Sequence, residues 1–271
     1  MAILLSLIFG AIQGLTEFLP ISSSGHLVIA HDLLRLDFID NLSFDIALHL
    51  GTLLALLLYF YREIFKLILS FFKSFANWNL AQDINQRLAW FLLVGTIPGA
   101  VAGYLVEDWA GTVFRNLWLV AILLVAVGAL FILVEKKAKQ DQDLSQLPWR
   151  GAIFIGLAQV LALLPGVSRS GITISAGMGA RLSRREAARF SFLLSVPIIF
   201  GAGLKQMIEV ISVGLDRQEL TSMVVGLIGA AVVGYLTIHF LLKFLSGHSL
   251  KVFAYYRFIL AGALLVYLVL R

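Results

Sequence analysis

The sequence predicts an all-α polytopic membrane protein with six transmembrane helices and two re-entrant helical hairpins, arranged as two inverted repeats. Of its 271 residues, 60% are hydrophobic and only 14% are charged, and the mean hydropathy of +0.93 is typical of a chain dissolved in lipid. Six apolar stretches are long enough to cross a bilayer, and two further apolar regions are interrupted by Pro, Gly and Ser.

The six predicted spans are residues 42–61, 88–106, 117–134, 188–208, 221–242 and 252–270. The interrupted regions are residues 2–34, broken at 20–25, and residues 152–180, broken at 165–171. Each half of an interrupted region is about a dozen residues, or roughly 18 Å of helix, and cannot cross about 30 Å of hydrocarbon. We therefore expect each region to form a hairpin that returns to its own side.

The interrupted regions are copies of each other within a single membrane domain spanning residues 1–271. Moving the first by 146 positions (Ser22 onto Ser168) also superimposes Gly10 on Gly156, Gln13 on Gln159, Ser24 on Ser170 and Gly25 on Gly171. Repeat 1 covers about residues 1–135 and repeat 2 about 150–271. A hairpin followed by three spans inverts the second repeat in the membrane.

The basic residues predict the orientation. Of 21 Lys and Arg, 14 fall in loops on one side and two, Arg169 and Arg257, lie within apolar segments; the other side has five, namely Arg35, Arg115, Lys205, Arg217 and Arg271. The positive-inside rule then places both termini outside. The same rule explains the net charge of +5, so we expect membrane lipids and no nucleic acid as partners. Residues 2–19 lack the basic region and cleavage site of a signal peptide and are treated as structure.

Chemistry is expected where the two broken tips meet. The chain has no cysteine, which excludes disulfides and thiolate chemistry. Non-helical backbone at the midplane must be buried or line a wet cavity, and two helix N-termini pointing at one spot favour a phosphate group. The alternative is that Gly and Ser only permit close helix packing.

The two copies differ in ways that suit phosphoryl transfer. Glu17, Ser23 and His26 in the first copy correspond to Leu163, Arg169 and Ile172 in the second. Ser23 is unique to the first copy and is the predicted nucleophile, with Glu17 or His26 as its base. Arg169 is the predicted phosphate clamp, although a structural ion pair with Glu17 is the alternative reading.

The remaining polar residues of the apolar segments have less specific predictions. Ser22, Ser24, Ser168 and Ser170 occur in both copies and are predicted to cap helices or to satisfy other backbone groups. Asp45 and His49 either line the cavity or pack. Arg257 either contacts substrate or extends toward the interface.

The segments QGLTEFLPISSSGH (13–26), LLPGVSRSGITISAGM (163–178), REAARFSFLLSVP (185–197) and YYRF (255–258) resemble the undecaprenyl pyrophosphate phosphatases of the bacitracin-resistance type. The resemblance implies hydrolysis of the C55 isoprenyl diphosphate to the monophosphate and inorganic phosphate, which recycles the lipid carrier of cell-envelope synthesis. It also implies a divalent cation, Mg²⁺ or Ca²⁺, and a centre in the bacterial cytoplasmic membrane that opens to the periplasm.

Carried onto this chain, the family's catalytic residues fall on Glu17, Ser23, His26 and Arg169. The predicted substrate-binding residues surround the two tips: Gln13, Ser22, Ser24, Gly25, Gly166, Ser168, Ser170, Gly171 and Thr173. Position 13 is Gln where many members have Glu, which leaves the metal ligands open, with Glu17 the first candidate.

Three other readings are weaker or less specific. SSSGH (22–26) faintly resembles one motif of the histidine-dependent membrane phosphatases, but no His and Asp follow Arg169 at the required spacing. A lipid flippase or secondary transporter shares the inverted-repeat architecture. A purely structural subunit does not explain ionisable residues in apolar segments. A homodimer is left open.

Overall fold

The protein is an all-α polytopic membrane protein, as predicted. The computed structural model describes residues 1–34, 41–106, 116–213 and 216–270, without the side chains of 41, 42 and 205–213. The helices are α1 (Ala2–Phe18), α2 (Ser23–Leu34), α3 (Asn41–Tyr59), α4 (Tyr61–Ala76), α5 (Ile84–Leu105), α6 (Leu117–Lys137), α7 (Trp149–Val160), α8 (Arg169–Gly179), α9 (Arg184–Val213), α10 (Arg217–Phe244) and α11 (Lys251–Leu270). Short 3₁₀ turns occupy Leu144–Gln146 and Leu161–Leu163.

Within the described ranges, five helices are long and apolar enough to cross a membrane, namely α5, α6, α10, α11 and the first part of α9. A sixth span is obtained if Ser43–Tyr59 and Tyr61–Ala76, which meet at an angle of 82°, are counted together. Both interrupted regions form short helices on either side of the break, as predicted.

Helix α4 is not among the predicted elements, because its stretch lies between the first two predicted spans and contains no apolar run of spanning length. Its cations Arg62, Lys66 and Lys73 lower the hydropathy, yet they are exposed along one side while Phe65 and Phe72 are exposed on another. This pattern is typical of an amphipathic helix at an interface.

The two repeats interlock through close helix crossings that need glycine. Helix α1 of repeat 1 packs against α10 of repeat 2, and α7 of repeat 2 packs against α5 of repeat 1. A Cβ on Gly10 would lie 2.5 Å from the carbonyl oxygen of Gly226, and one on Gly156 would lie 2.5 Å from that of Gly95. The matched glycines thus make the same contact in both copies.

The basic loops meet at one end of the molecule. Arg184 pairs with Glu135 at 2.6 Å, and Glu135 also accepts a hydrogen bond from the backbone N–H of Leu250. Arg189 pairs with Glu63 at 2.6 Å. These contacts bring together the segments that follow α3, α6, α8 and α10 at one end of the molecule. The distribution of basic residues predicts this grouping. Arg35, Arg115, Arg271 and the side chain of Lys205 lie outside the described residues.

Candidate active site

Both broken tips have the same unusual backbone. Ser22 has φ 78° and Ser168 has φ 74°, a left-handed conformation that is costly for residues other than glycine. Each serine accepts a hydrogen bond from the backbone N–H three residues later, Gly25 at 3.3 Å and Gly171 at 3.2 Å. This is the capping geometry expected of serines that occur in both copies. The following helices, α2 and α8, therefore begin in equivalent ways.

The two tips are in direct contact. Ser170 Oγ donates a hydrogen bond to the carbonyl of Leu19 in the other tip, at 3.2 Å. Arg257 of α11 donates to the carbonyl of Pro20 at 3.3 Å and to that of Gly166 at 2.5 Å, which connects both tips to one side chain. It also donates to two carbonyls of α6.

Arg257 is fully buried and is not among the residues that line the cavity described below. The interpretation that it extends to the interface is therefore wrong. Its guanidinium satisfies backbone carbonyls that the helix breaks leave without helical partners. It holds the tips without contacting the cavity.

Glu17 is the centre of a hydrogen-bonded cluster. Ser23 Oγ donates to Glu17 Oε2 at 2.6 Å, and Gln13 Nε2 donates to the same oxygen at 3.2 Å. Arg169 Nη2 donates to Glu17 Oε1 at 2.8 Å and Nη1 to the carbonyl of Ser191 at 3.3 Å. The carboxylate and hydroxyl of repeat 1 thus face the cation of repeat 2. The ion pair between Arg169 and Glu17, which is the alternative interpretation of Arg169, is present.

The cluster opens into a cavity of about 310 Å³. Its polar lining is Glu17, Ser23, Ser24, His49, Gln159, Ser168 and Arg169, and its apolar lining includes Ile46, Leu163, Ile198 and Ile199. One cavity therefore offers both hydrogen-bonding groups and hydrocarbon. Such a lining suits an anionic headgroup attached to an apolar chain.

Other predicted site residues lie in the same segments as the lining residues without lining the cavity themselves. Thr173 donates to the carbonyl of Arg169 at 2.7 Å and its Oγ1 is 2.6 Å from Ser191 Oγ, which fixes the start of α8. Ser22 is buried, and Gly25, Gly166, Ser170 and Gly171 shape the tips. Their roles in substrate binding remain predictions.

His26 is not among the residues that line the cavity. Its Nδ1 is 2.7 Å from the carbonyl of Ser22 and its Nε2 is 2.8 Å from Tyr256 Oη, with the two rings stacked. Both ring nitrogens are thereby engaged, so the predicted catalytic role of His26 stays a prediction. In this arrangement it connects α2 to α11.

His49 reaches the cavity instead. Its Nδ1 bonds the carbonyl of Asp45 at 2.7 Å, which orients Nε2 to 3.9 Å from Glu17 Oε2. The carboxylate of Asp45 bonds His31 at 2.9 Å. Sequence reasoning left open whether His49 lines the cavity or packs, and the structure places it in the lining.

Nearly the whole chain matches one family model. The family model described as bacitracin resistance protein BacA matches residues 6–263. The chain belongs to this family. It is 45% identical to an undecaprenyl-diphosphatase of Rubrobacter xylanophilus over 271 residues, 99% of each chain. It is 43% identical to that of Desulforudis audaxviator over 266 residues, covering 98% of this chain and 97% of the relative. It is also 37% identical to undecaprenyl-diphosphatase 1 of Pseudoalteromonas translucida over 270 residues, the full length of both chains.

Part of this BacA-family site fits a divalent cation. The described residues contain no group of three or more His, Cys, Asp or Glu side chains that could hold a metal ion. Glu17 nevertheless supplies an anionic oxygen at the cavity, and the neighbouring Oε1 of Gln13 is a buried oxygen without a partner among the described residues. Mg²⁺ accepts such a small set of protein ligands because substrate phosphates and water complete its shell.

Proposed function

We propose that this BacA-family protein hydrolyses undecaprenyl diphosphate to undecaprenyl phosphate and inorganic phosphate. The observation that carries the proposal is the 2.6 Å hydrogen bond from Ser23 Oγ to Glu17 beside Arg169, in a cavity that also has an apolar wall. A hydroxyl paired with a carboxylate next to a cation is an arrangement that suits phosphoryl transfer, because the carboxylate can accept the hydroxyl proton and the cation can stabilise the phosphoryl oxygens.

In the proposed reaction, Ser23 Oγ attacks the terminal phosphorus while Glu17 accepts the hydroxyl proton. The new Oγ–P bond forms as the bond from phosphorus to the bridging oxygen breaks, and the lipid monophosphate leaves with that oxygen. Glu17 passes the proton it accepted to the departing lipid phosphate. Water then attacks the phosphoserine, and Glu17 accepts a proton from the water and returns it to Ser23 Oγ as the Oγ–P bond breaks and inorganic phosphate is released. Arg169 and the N-terminus of α8 stabilise the charge on the phosphoryl oxygens.

Glu17 and the side-chain oxygen of Gln13 would hold Mg²⁺ or Ca²⁺ together with the diphosphate. Such a cation supplies positive charge that neutralises the phosphate oxygens. The neutral Gln13 leaves Glu17 as the only carboxylate of the pair, so the protein contributes a single anionic ligand from these two positions.

The proposed setting is the bacterial cytoplasmic membrane, with both termini and the cavity mouth on the periplasmic side. The 14 basic residues on the opposite side support this orientation. There the reaction recycles the lipid carrier for peptidoglycan and confers resistance to bacitracin. Cysteines introduced at positions 2 and 271 should react with an impermeant reagent in intact spheroplasts, and labelling only after permeabilisation would contradict the orientation.

Phosphate release by purified protein in detergent tests the activity. We expect release from undecaprenyl diphosphate that EDTA abolishes and added Mg²⁺ or Ca²⁺ restores. A flippase or transporter, the alternative suggested by the inverted repeats, would release no phosphate in detergent, where there is no bilayer to cross.

A further inference from the structure

Gln159 of α7 is a buried side chain whose polar atoms have no hydrogen-bond partner among the described residues. It is 2% exposed and lines the cavity, and neither its Nε2 nor its Oε1 makes a hydrogen bond to any described residue. Burying an amide without partners costs stability. Since the side chain borders the cavity of the proposed reaction, a ligand there can supply the missing contact.

The repeat explains why Gln159 is left without a partner. Its counterpart Gln13 donates to Glu17, four residues later on the same helix, at 3.2 Å. The residue four positions after Gln159 is Leu163, which also lines the cavity but accepts no hydrogen bond. The second copy therefore kept the amide and lost the acceptor.

The amide lies beside the apolar part of the cavity. A Cβ on Gly99, another lining residue, would lie 3.0 Å from Gln159 Nε2 and 2.9 Å from Ile198 Cδ1. The donor thus lies near Gly99 and Ile198, in the cavity that Leu163 also lines. Neither Arg169 nor Glu17 hydrogen-bonds it.

We propose that Gln159 binds the phosphate that stays on the lipid, with Nε2 donating to one of its non-bridging oxygens. The terminal phosphate is the one that Ser23 and Arg169 engage, so the retained phosphate needs a separate donor. This phosphate is attached to the isoprenoid chain and lies next to hydrocarbon, where the amide lies too. The proposal rests on the diphosphatase activity proposed above.

The test is Gln159→Leu, which removes both polar atoms at nearly constant volume. We expect KM for undecaprenyl diphosphate to rise about 10- to 100-fold, the usual cost of a lost hydrogen bond to a charged group, with kcat changed less than about threefold. Inhibition by undecaprenyl phosphate should weaken by the same factor, and inhibition by inorganic phosphate should not change. Thermal stability in detergent should be equal or higher, because an unpaired amide is removed.

The matched control is Ser175→Ala on α8. Ser175 Oγ is also buried without a described partner but does not line the cavity, so stability should respond in the same direction and KM should not move. As a second variant, Gln159→Glu keeps the size and places an anion beside the phosphate, and its KM should rise further than that of Gln159→Leu.

Two results would overturn the assignment. An unchanged KM with raised stability in Gln159→Leu would show that the amide is only an unsatisfied buried group. Weaker inhibition by inorganic phosphate, with inhibition by the lipid monophosphate unchanged, would assign Gln159 to the other phosphate. Binding of undecaprenyl phosphate can be measured by calorimetry without turnover. The proposed contact of Gln159 can therefore be refuted while phosphate release is observed, and it can be supported even if no phosphate is released.

Discussion

Replacing Arg257 with Lys should impair catalysis although the side chain does not reach the cavity. The guanidinium makes four hydrogen bonds to backbone carbonyls, two in the tips and two in α6. A single ammonium group cannot reach carbonyls on three segments, so we expect at least two of the four bonds to be lost. At about 1.5–3 kcal/mol for each bond to a charged donor, the loss of two bonds should destabilise the protein by roughly 3–6 kcal/mol.

The catalytic effect should be larger than the loss of stability alone predicts. Two of the four acceptors, the carbonyls of Pro20 and Gly166, lie in the tips that carry Ser23 and Arg169 respectively. A displacement of about 1 Å at a reacting group costs roughly 10² in rate, so kcat should fall about 100-fold while the protein remains folded in detergent.

The assay is phosphate release from undecaprenyl diphosphate, with thermal unfolding recorded in the same detergent. Arg150→Lys, a conservative change at an exposed arginine at the start of α7, is the control and should leave both readouts unchanged. If Arg257→Lys lowers the melting temperature and keeps kcat within about threefold of the unchanged protein, Arg257 stabilises the fold and does not position the tips, and our reasoning would be refuted.

Further predictions concern the cluster and the helix crossing. Ser23→Ala and Glu17→Gln should each reduce kcat by about 10² or more, and the double variant should be little worse than either, because the two act as a unit; rates that multiply independently would contradict this. Arg169→Lys should lose most phosphate release although the charge remains, since an ammonium lacks the bidentate fork, and near-normal turnover would show that charge suffices. Gly10→Ala should lower the free energy of unfolding by about 1–3 kcal/mol, because its Cβ would meet a carbonyl oxygen of α10 at 2.5 Å, whereas Gly247→Ala, with nothing within 4 Å, should be neutral in the same melting assay.

The sequence predicted the features that depend on hydropathy and on the internal repeat. Five helices of spanning length, the short helices on either side of each break and the meeting of the tips all follow from apolar length and from the matched serines. Helix α4 was not predicted by apolar length. An amphipathic helix at an interface contains cations, and a search for long apolar stretches therefore excludes it. The helical spacing of its cations and aromatic residues is the sequence pattern that would have predicted this helix.

The orientation of individual imidazoles was harder to predict than the location of the site. His26 lies three residues after Ser23 on α2, yet its ring bonds a backbone carbonyl and Tyr256. His49 comes from a different helix and reaches the cavity. Which of two histidines faces a cavity depends on tertiary contacts such as the one with Tyr256, which lies 230 residues further along the chain. Spacing alone does not contain that information.

Positions that are identical in the two copies can be compared with positions that differ. The first kind is expected where both helix breaks have the same backbone conformation, and the second kind where the two tips have different roles in the proposed reaction. Ser22 and Ser168 are identical because each break places a serine at positive φ and must cap the helix that follows. In the proposed reaction, Ser23 and Arg169 differ because one is the nucleophile and the other binds the phosphate, and one residue type cannot do both.

Gln13 and Gln159 do not fit this division, since they are identical yet have different surroundings. Gln13 donates a hydrogen bond to the carboxylate of Glu17, whereas Gln159 borders the cavity and has no hydrogen-bond partner among the described residues. If identity reflected folding alone, the unpartnered copy would have been replaced by an apolar residue, as Leu163 stands where the first copy has Glu17. The retention of the amide at a cost in stability is therefore the reason to expect that Gln159 contacts the substrate.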